Sequence, residues 1–596
     1  MGQTAGHEHT LHNHRIPVAQ LAELNAGGGS VSAIRTLWAG QRSRRILLLD
    51  AVLRAAAGDP ARMGPLPPVD EAWTIIGAVD PGDLLLHPQV GSWAAYVVRR
   101  SRNRATSEAP FWIDVGTLHT IALILAARAG ISWRTRVPAR DGRVMLPALG
   151  MASFPGLRRW DTVEAGCEDG VIHLRAGGRD LLVPDGPAPE SPGWWPLRRI
   201  RSGDEPRLSV FLDDIDPFRE LADPVAPERL DAGAVSRWTD LLDGAWSVLC
   251  RDHPATAEAL AAGVVSLVPL PDDRTGITRS ASTGEAFGSV MISPPSDEVD
   301  LAVSLVHEFQ HIKLGGLIHL TALTTGPAPP VRYAPWRDDP RPLPGLVQGV
   351  YAFFGIADFW RVRRLHTEGR RRTVADFAFR YARDQVETAL RELSAADGLT
   401  EAGRRLVDGL AKTVESWPDE QADPVAATVA ARLCTVHRLE WRIRHVVPDP
   451  DLVRRLAADW PAASPVDLGP FARIVRPHPE LRWSSGWQSA AWAHVTARAG
   501  ERTGIDVAVV TGDDDAARAA AVEGIAASPA DPRAWAALAS TAPPRSPLAT
   551  CPELVCALHA ALRDRGVHAD PLTTAGWLDR VLPVGADDPV EVPEVG

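Results

Sequence analysis

The run LVHEFQHIKL contains two histidines separated by three residues, with a glutamate directly after the first. If the segment is helical, His307 and His311 lie on the same face, with Cβ atoms about 5–6 Å apart. Two imidazoles at that separation can bind one divalent ion and leave Glu308 near the open coordination positions. The sequence therefore predicts a metal site with His307 and His311 as ligands and Glu308 as the catalytic carboxylate.

A third metal ligand is harder to assign. Many zinc peptidases take a glutamate from a following helix, but the apolar helix predicted after the Pro-rich loop contains none. His319 follows two glycines, and if the helix continues through both, it lies about 12 Å along the axis from His311. Gln348 and Asp358, on the next predicted helix, are the other candidates. We take Gln348 as the predicted third ligand.

The loop YAPWRDDPRPL places two arginines close together. Arginine binds carboxylates bidentately and keeps its charge in a dry site, so Arg337 and Arg341 suit an iron enzyme with a dicarboxylate co-substrate. The alternative is that both arginines pair with Asp338, Asp339 or other acids. Tyr351 is predicted either to donate a hydrogen bond to that co-substrate or to be a core aromatic residue.

The short β-type runs RLSVFLDD, VVSLVPL and GSVMISP precede the motif, and the last of them ends just before the predicted helix SDEVDLAVSLVHEFQHIKL. Ser296 is the expected N-cap, and Asp297 and Glu298 suit the positive end of the helix dipole. The run STGEAFGSVMIS, residues 282–293, is predicted to form an edge strand on which a peptide could lie extended. Ordinary sheet structure is the alternative.

The composition of the 596 residues, 45% hydrophobic and 23% charged, is that of a globular protein. Helical periodicity begins near residue 17, and GVIHLRAGGRDLLVP is typical of a β-hairpin around Gly177 and Gly178. We predict an α+β fold, mainly helical, with a zincin-like core in which a small sheet packs against the HExxH helix. The predicted regions are a disordered His-rich tail (1–16), an N-terminal helical region (17–161), a metal-binding core (162–395) and a C-terminal helical region (396–596).

Charge and cysteine usage exclude several function classes. The net charge of −11 gives no basic field for nucleic acid. The five cysteines are scattered and form no CxxxCxxC cluster, so an iron–sulfur radical enzyme is not expected. We find no signal peptide and no uninterrupted apolar run of about 18 residues, so we expect a cytoplasmic protein without a membrane partner.

Together, LVHEFQHIKL and APWRDDPRPLPGLVQGVYAFFGIADFW resemble the HExxH-type proteins that modify ribosomally made precursor peptides. HRIPVAQLAELNAGGG and RILLLDAVL also resemble the start of that family, so the resemblance spans most of the chain. After about residue 400 only the general character matches. Some relatives are fused to a radical-SAM maturase, and the missing cysteine cluster indicates the stand-alone form.

The resemblance implies an iron(II)- and 2-oxoglutarate-dependent β-hydroxylase whose partners are a precursor peptide and, as further candidates, other peptide-maturation enzymes. Gln348 stands where some relatives carry histidine, and Phe353 where histidine is frequent. The residues carried over are His307 and His311 as metal ligands, Glu308 as the motif carboxylate, and Arg337 and Arg341 as the co-substrate's carboxylate site.

Two other functions remain open at this point. In a zinc-dependent peptidase, Glu308 would be the general base that activates a metal-bound water. In a non-catalytic scaffold, the chain would bind a peptide within a maturation complex. The missing glutamate ligand and the paired arginines favour the hydroxylase over the peptidase.

Overall fold

The computed structural model describes residues 14–58, 60–184, 189–221, 223–272, 278–326, 331–418, 423–462, 474–475, 486–496 and 504–582. Residues 1–13 of the predicted His-rich tail lie outside them. Of the tail's last residues, His14 places its Nε2 2.7 Å from the hydroxyl of Ser43.

The fold is mixed α+β and mainly helical, as predicted. The chain divides into two compact units, the first formed from Met1–Leu24 and Gly28–Thr321, the second from Asn25–Gly27 and Ala322–Gly596. The second unit thus begins well before the boundary predicted at residue 396. The reason is that the long helix Gly369–Ser394 packs against the C-terminal helix Pro424–His445 and shares its core.

The first unit combines helices with two sheets. Its helices are α1 (Val18–Asn25), α2 (Val31–Ala57), α3 (Asp70–Ala78), α4 (Gly82–Leu86), α5 (Pro88–Ser101), α6 (Phe111–Val115), α7 (Thr117–Arg128), α8 (Ala232–Asp252), α9 (Pro254–Gly263) and α10 (Glu298–Ile318), with 3-10 turns at Pro60–Met63 and Gly284–Ala286. Trp93, Leu123, Val137 and Val163 belong to the core that joins the early helices to the first sheet.

The first sheet is antiparallel throughout and has seven strands in the order β6-β5-β4-β1-β2-β3-β7. The strands are β1 (Trp133–Arg140), β2 (Arg143–Leu146), β3 (Gly150–Ser153), β4 (Trp160–Glu168), β5 (Val171–Ala176), β6 (Arg179–Pro184) and β7 (Trp194–Pro196). The predicted hairpin is confirmed, since β5 and β6 pair across Gly177 and Gly178, both with positive φ. Strands β1 to β3 lie in the region that was predicted as helical. The prediction was wrong there because arginines and a proline obscure the alternation of apolar and polar residues in β1, and β2 and β3 are short.

The second sheet is mixed, with the order β11-β12-β10-β9-β8. Its strands are β8 (Arg198–Ser202), β9 (Leu208–Leu212), β10 (Ser266–Pro269), β11 (Ser280–Ala281) and β12 (Ser289–Ile292). The three central strands β9, β10 and β12 are parallel, and the outer strands β8 and β11 are antiparallel to their neighbours. Three of these strands form where the sequence predicted β-type runs.

Helix α10 follows β12 and carries the HExxH motif. Its N-cap is Asp297 rather than the predicted Ser296, because the Asp297 carboxylate accepts the N–H groups of Val299 and Asp300, both at 2.9 Å. Ser296 instead donates its hydroxyl to the Asp300 carboxylate at 3.1 Å. The helix packs against α2, α8 and α9 and against strands β11 and β12.

The second unit is built almost entirely from helices. They are α11 (Leu343–Arg363), α12 (Gly369–Ser394), α13 (Glu401–Glu415), α14 (Pro424–His445), α15 (Pro450–Asp459), α16 (Trp487–Thr496), α17 (Ile505–Thr511), α18 (Asp514–Ala527), α19 (Pro532–Ser540), α20 (Pro547–Thr550), α21 (Pro552–Asp564) and α22 (Pro571–Val581), with a 3-10 turn at Arg364–His366. A short ladder joins β13 (Val446–Val447) to β14 (Ile474–Val475). The buried core includes Trp487, Trp535 and Trp577.

One stretch of the described chain, Phe111–Arg128, is long and apolar enough to cross a membrane, and 78% of it is buried in the structure. It consists of α6 and α7, and α7 packs against β1 and β4. Burial on this scale is typical of a core helix in a globular unit.

Candidate functional site

The two motif histidines face each other on α10. The ring centroids of His307 and His311 are 4.8 Å apart, and the rings are nearly perpendicular, at 85°. Their spacing of one helical turn puts both on the same side of the helix, as predicted. Rings in this arrangement can direct one nitrogen each at a common ion.

Both imidazoles are neutral at physiological pH. Burial lowers the pKa of His307 to about 4. Burial and the nearby His307 also lower the pKa of His311 to about 4, against the opposing effect of Glu308. A neutral imidazole keeps the lone pair that a metal ion needs, so neither ligand would have to lose a proton on binding.

Glu308 is held by two serine hydroxyls. Its side chain is 1% exposed. The Ser280 hydroxyl donates to Oε1 and the Ser282 hydroxyl to Oε2, both at 2.6 Å. Oε1 also lies 3.8 Å from Nε2 of His307. The carboxylate is therefore fixed beside the first imidazole by residues at the sheet edge.

The sheet edge next to α10 differs from the predicted one. Residues 282–293 were expected to form the edge strand, but β12 lies inside the sheet between β10 and β11. The edge is formed by Ser280–Ala281, and a 3-10 turn interrupts the chain between the two strands. Glycine at 284 and 288 and the threonine cap of the turn explain why the predicted run is not one continuous strand.

His319 does not join the motif histidines. Helix α10 runs through both glycines to Ile318, and His319 is its C-cap residue. It is eight positions beyond His311 along the chain, which corresponds to about 12 Å along the helix axis. In the described part of the first unit, no third His, Cys, Asp or Glu atom completes a close group of ligands with His307 and His311.

The other predicted site residues belong to the second unit. Gln348 lies on α11 with its side chain exposed, and Asp358 on the same helix pairs with Arg361 at 2.7 Å. Tyr351 is 1% exposed and contributes to the buried core, where burial raises its pKa. Phe353 stacks on Trp336 with ring centroids 4.6 Å apart. Metal binding by Gln348 stays a prediction.

Arg337 and Arg341 flank one carboxylate. Arg337 Nε donates to Asp339 Oδ1 at 2.6 Å, and Arg341 Nε lies 3.6 Å from Oδ2. The structure thus shows the pairing with a neighbouring acid that the sequence left open. Both side chains remain about one third exposed, so their guanidinium groups are also accessible to a ligand. Co-substrate binding by these arginines stays a prediction.

A second polar cluster in the first unit was not predicted. His87 lies between α4 and α5, and Asp213 and Asp216 follow β9. Burial raises the pKa of Asp213 to about 6, and burial together with Asp213 raises that of Asp216 to about 8. Burial and neighbouring arginines lower the pKa of His87 to about 3. The only local feature of the sequence that could have indicated this cluster is the acid-rich run LDDIDP, which follows an apolar strand.

Comparison of the chain with protein-family models and with curated proteins finds no match. The function is therefore argued from the site itself. Its described parts are two facing neutral imidazoles and a serine-bound glutamate, on a helix that follows a parallel strand and borders a short antiparallel edge strand.

Proposed function

We propose that the chain is an iron(II)- and 2-oxoglutarate-dependent enzyme that β-hydroxylates a side chain of a ribosomally made precursor peptide. The observation that carries the proposal is the facing pair His307 and His311, neutral and 4.8 Å apart by ring centroids. The resemblance of the HExxH and PWRDDPRP segments to peptide-modifying proteins supplies the choice of reaction.

The residues present fit a divalent iron ion. Imidazole nitrogens suit iron(II), and two of them with one further ligand leave positions for a 2-oxo acid and for O2. Bound iron with 2-oxoglutarate supplies the oxidising power that converts a C–H bond into C–OH. We propose Gln348 as the further protein ligand.

The chain's own residues would position the peptide and the co-substrate. Ser280 and Ser282 connect the Glu308 carboxylate to the edge strand β11, whose free side can pair with an extended peptide. Arg337 and Arg341 are proposed to bind the carboxylates of 2-oxoglutarate in competition with Asp339. The burial of Tyr351 favours a core role over contact with the co-substrate.

A zincin-like core is part of this proposal. Three parallel strands, an antiparallel edge strand and a helix that follows the strand next to that edge form the described second sheet and α10. In this order the HExxH helix lies beside the edge strand that we propose as the peptide-binding edge. The topology supports the proposed core and serves a hydroxylase and a peptidase equally.

The second candidate is a zinc-dependent peptidase. It is favoured by Glu308 Oε1, which lies 3.8 Å from Nε2 of His307 and so near any water on a bound ion. Against it, both carboxylate oxygens already accept a serine hydrogen bond at 2.6 Å, which occupies the lone pairs that a metal-bound water would need. A peptide-binding scaffold without activity is the third candidate.

One experiment separates the three. The full chain is incubated with the precursor peptide encoded beside its gene, iron(II), 2-oxoglutarate and ascorbate, and both peptide mass and succinate are followed. Addition of one oxygen that requires 2-oxoglutarate and is lost in His307→Ala supports the hydroxylase. Peptide fragments with Zn²⁺ alone favour the peptidase, and tight peptide binding without either product favours the scaffold. His173→Ala, on the exposed face of β5, is the matched control and should keep full activity.

The arginine assignment has its own test. Arg341→Ala should raise the 2-oxoglutarate concentration needed for half-maximal rate far more than Arg337→Lys, because it removes a carboxylate partner while the lysine keeps the charge. The measurement is the succinate formation rate at varied 2-oxoglutarate. Equal dependence in both variants would remove the loop from the co-substrate site.

A further inference from the structure

The second polar cluster of the first unit supports an inference that does not depend on the HExxH helix. One potential ligand atom each from His87, Asp213 and Asp216 lies within 4.8 Å of the other two. The three residues are 2%, 0% and 2% exposed, so bulk water solvates none of them. An imidazole and two carboxylates are therefore gathered in the interior.

Two of these residues carry a buried atom that has no partner. Within the described residues, neither His87 Nε2 nor Asp213 Oδ2 forms a hydrogen bond. Leaving such an atom unsatisfied costs about 1–3 kcal/mol, and buried polar atoms in folded proteins are nearly always satisfied. An imidazole nitrogen and a carboxylate oxygen can both be satisfied by one divalent cation.

Backbone hydrogen bonds orient both carboxylates. Asp213 Oδ1 accepts the N–H groups of Ile215 at 3.3 Å and Asp216 at 2.9 Å. Asp216 Oδ1 accepts the N–H of Phe218 at 2.8 Å. One oxygen of each side chain thus fixes the loop after β9, which leaves Oδ2 of Asp213 for another ligand.

Asp214, between these two aspartates in the sequence, has its buried negative charge balanced by two arginines. Asp214 Oδ1 lies 3.0 Å from Arg229 and Oδ2 lies 3.2 Å from Arg198. In the part of the chain that the structure describes, no arginine or lysine forms an ion pair with Asp213 or Asp216. The guanidinium of Arg219 donates instead to the carbonyls of Asp216 and Ala226, at 3.0 and 2.8 Å.

Two buried arginines lie near the cluster. Arg45 is 1% exposed and its Nη1 is 3.4 Å from the carbonyl of Pro88, next to His87. Arg219, 3% exposed, also attracts both carboxylates and opposes the rise in their pKa. These guanidinium groups oppose cation binding, and the donor atoms that remain for an ion are Oδ2 of Asp213 and Nε2 of His87.

We propose that His87, Asp213 and Asp216 bind a divalent cation of the Mn²⁺ or Zn²⁺ class, at a site separate from the HExxH helix. Mixed imidazole and carboxylate donors suit such cations. Gln89, whose buried Oε1 also has no partner among the described residues, lines a cavity of about 200 Å³ together with Asp216. That cavity reaches the Asp216 side of the cluster and offers room for water ligands.

The test measures how many ions the full chain binds after the two motif histidines have been replaced, so that the HExxH site cannot bind metal. A His307→Ala/His311→Ala background is stripped with a chelator and titrated with Mn²⁺, and free Mn²⁺ is measured by electron paramagnetic resonance. We expect about one bound Mn²⁺ per chain, with an affinity that falls at least about tenfold when Asp213→Asn is added. Competition by Zn²⁺ then ranks the two ions.

The variants are chosen so that unfolding cannot imitate the result. Asn at 213 keeps an oxygen for the two backbone N–H groups, and circular dichroism in chelator checks that each variant is folded. His119→Gln is the matched control, because His119 is also fully buried but has Nε2 3.1 Å from the Pro67 carbonyl and Nδ1 3.3 Å from the Thr135 hydroxyl. Absence of bound Mn²⁺ in the background, or equal affinity in Asp213→Asn and His119→Gln, overturns the proposal. Neither outcome bears on the hydroxylase activity of the protein with both motif histidines intact.

Discussion

The two histidine-containing clusters of the first unit are built in opposite ways. His307, Glu308 and His311 lie within five residues of one helix, and the His307 side chain is 20% exposed. His87, Asp213 and Asp216 come from distant parts of the chain and are buried. In the first cluster both oxygens of the acid accept hydrogen bonds from hydroxyl groups, whereas the second leaves a carboxylate oxygen without a partner in the described structure. The difference separates a site exposed enough for substrate from one suited to an enclosed ion.

The largest expected effect distinguishes the clusters by activity. His311→Ala should lower succinate formation and peptide oxidation at least about 100-fold, because loss of one ligand removes several kcal/mol of metal-dependent stabilisation. The same variant should bind Mn²⁺ at the second cluster with unchanged affinity. If Mn²⁺ binding at the second cluster disappears as well, the two clusters are not independent.

The next effect contrasts two neighbouring acids in the metal-free protein. Asp214→Asn removes the buried charge that the partly buried Arg198 and Arg229 face, and should lower the free energy of unfolding by about 3 kcal/mol. Asp216 has its pKa raised to about 8 by burial and by Asp213, so it is mostly protonated at neutral pH, and Asp216→Asn should leave that free energy unchanged or raised. Urea unfolding in chelator measures both, and similar losses in the two variants would contradict the contrast.

A smaller effect concerns the serines that hold Glu308. Ser280→Ala and Ser282→Ala should each cost about 2 kcal/mol, because each leaves one buried carboxylate oxygen without its hydroxyl donor. Urea unfolding compares them with Ser247→Ala, an exposed serine on α8 that should change little. Variants as stable as that control would show that the hydroxyls do not stabilise Glu308.

The last effect is the smallest at neutral pH and appears only as a pH dependence at the control histidine. Burial lowers the pKa of His119 from its ordinary 6.5 to about 4 in the folded protein. Between those values the unfolded chain binds more protons, so stability is lost as pH falls through that window. His119→Gln should make the free energy of unfolding fall less steeply from pH 6.5 to 4. Identical slopes for the two proteins would exclude this contribution.

Sequence reasoning worked where the signal was local. The helix under the HExxH motif, the hairpin at Gly177 and Gly178 and the runs that became β9, β10 and β12 all appear in the structure. It missed β1 to β3, which lie in the region predicted as helical, because arginines and a proline obscure the alternation of β1, and β2 and β3 are only four residues long. It named Ser296 as the cap because both Ser296 and Asp297 suit that role, and only the backbone geometry selects Asp297.

The sequence by itself determined the pairing of His307 with His311, because side chains four residues apart on a helix must share a face. The tertiary structure decided which serines reach Glu308, which acid lies between Arg337 and Arg341, and that His87 meets two aspartates at the end of β9. Contacts between distant segments depend on how whole helices and strands pack, and the spacing of residues along the chain does not determine the distances between such segments.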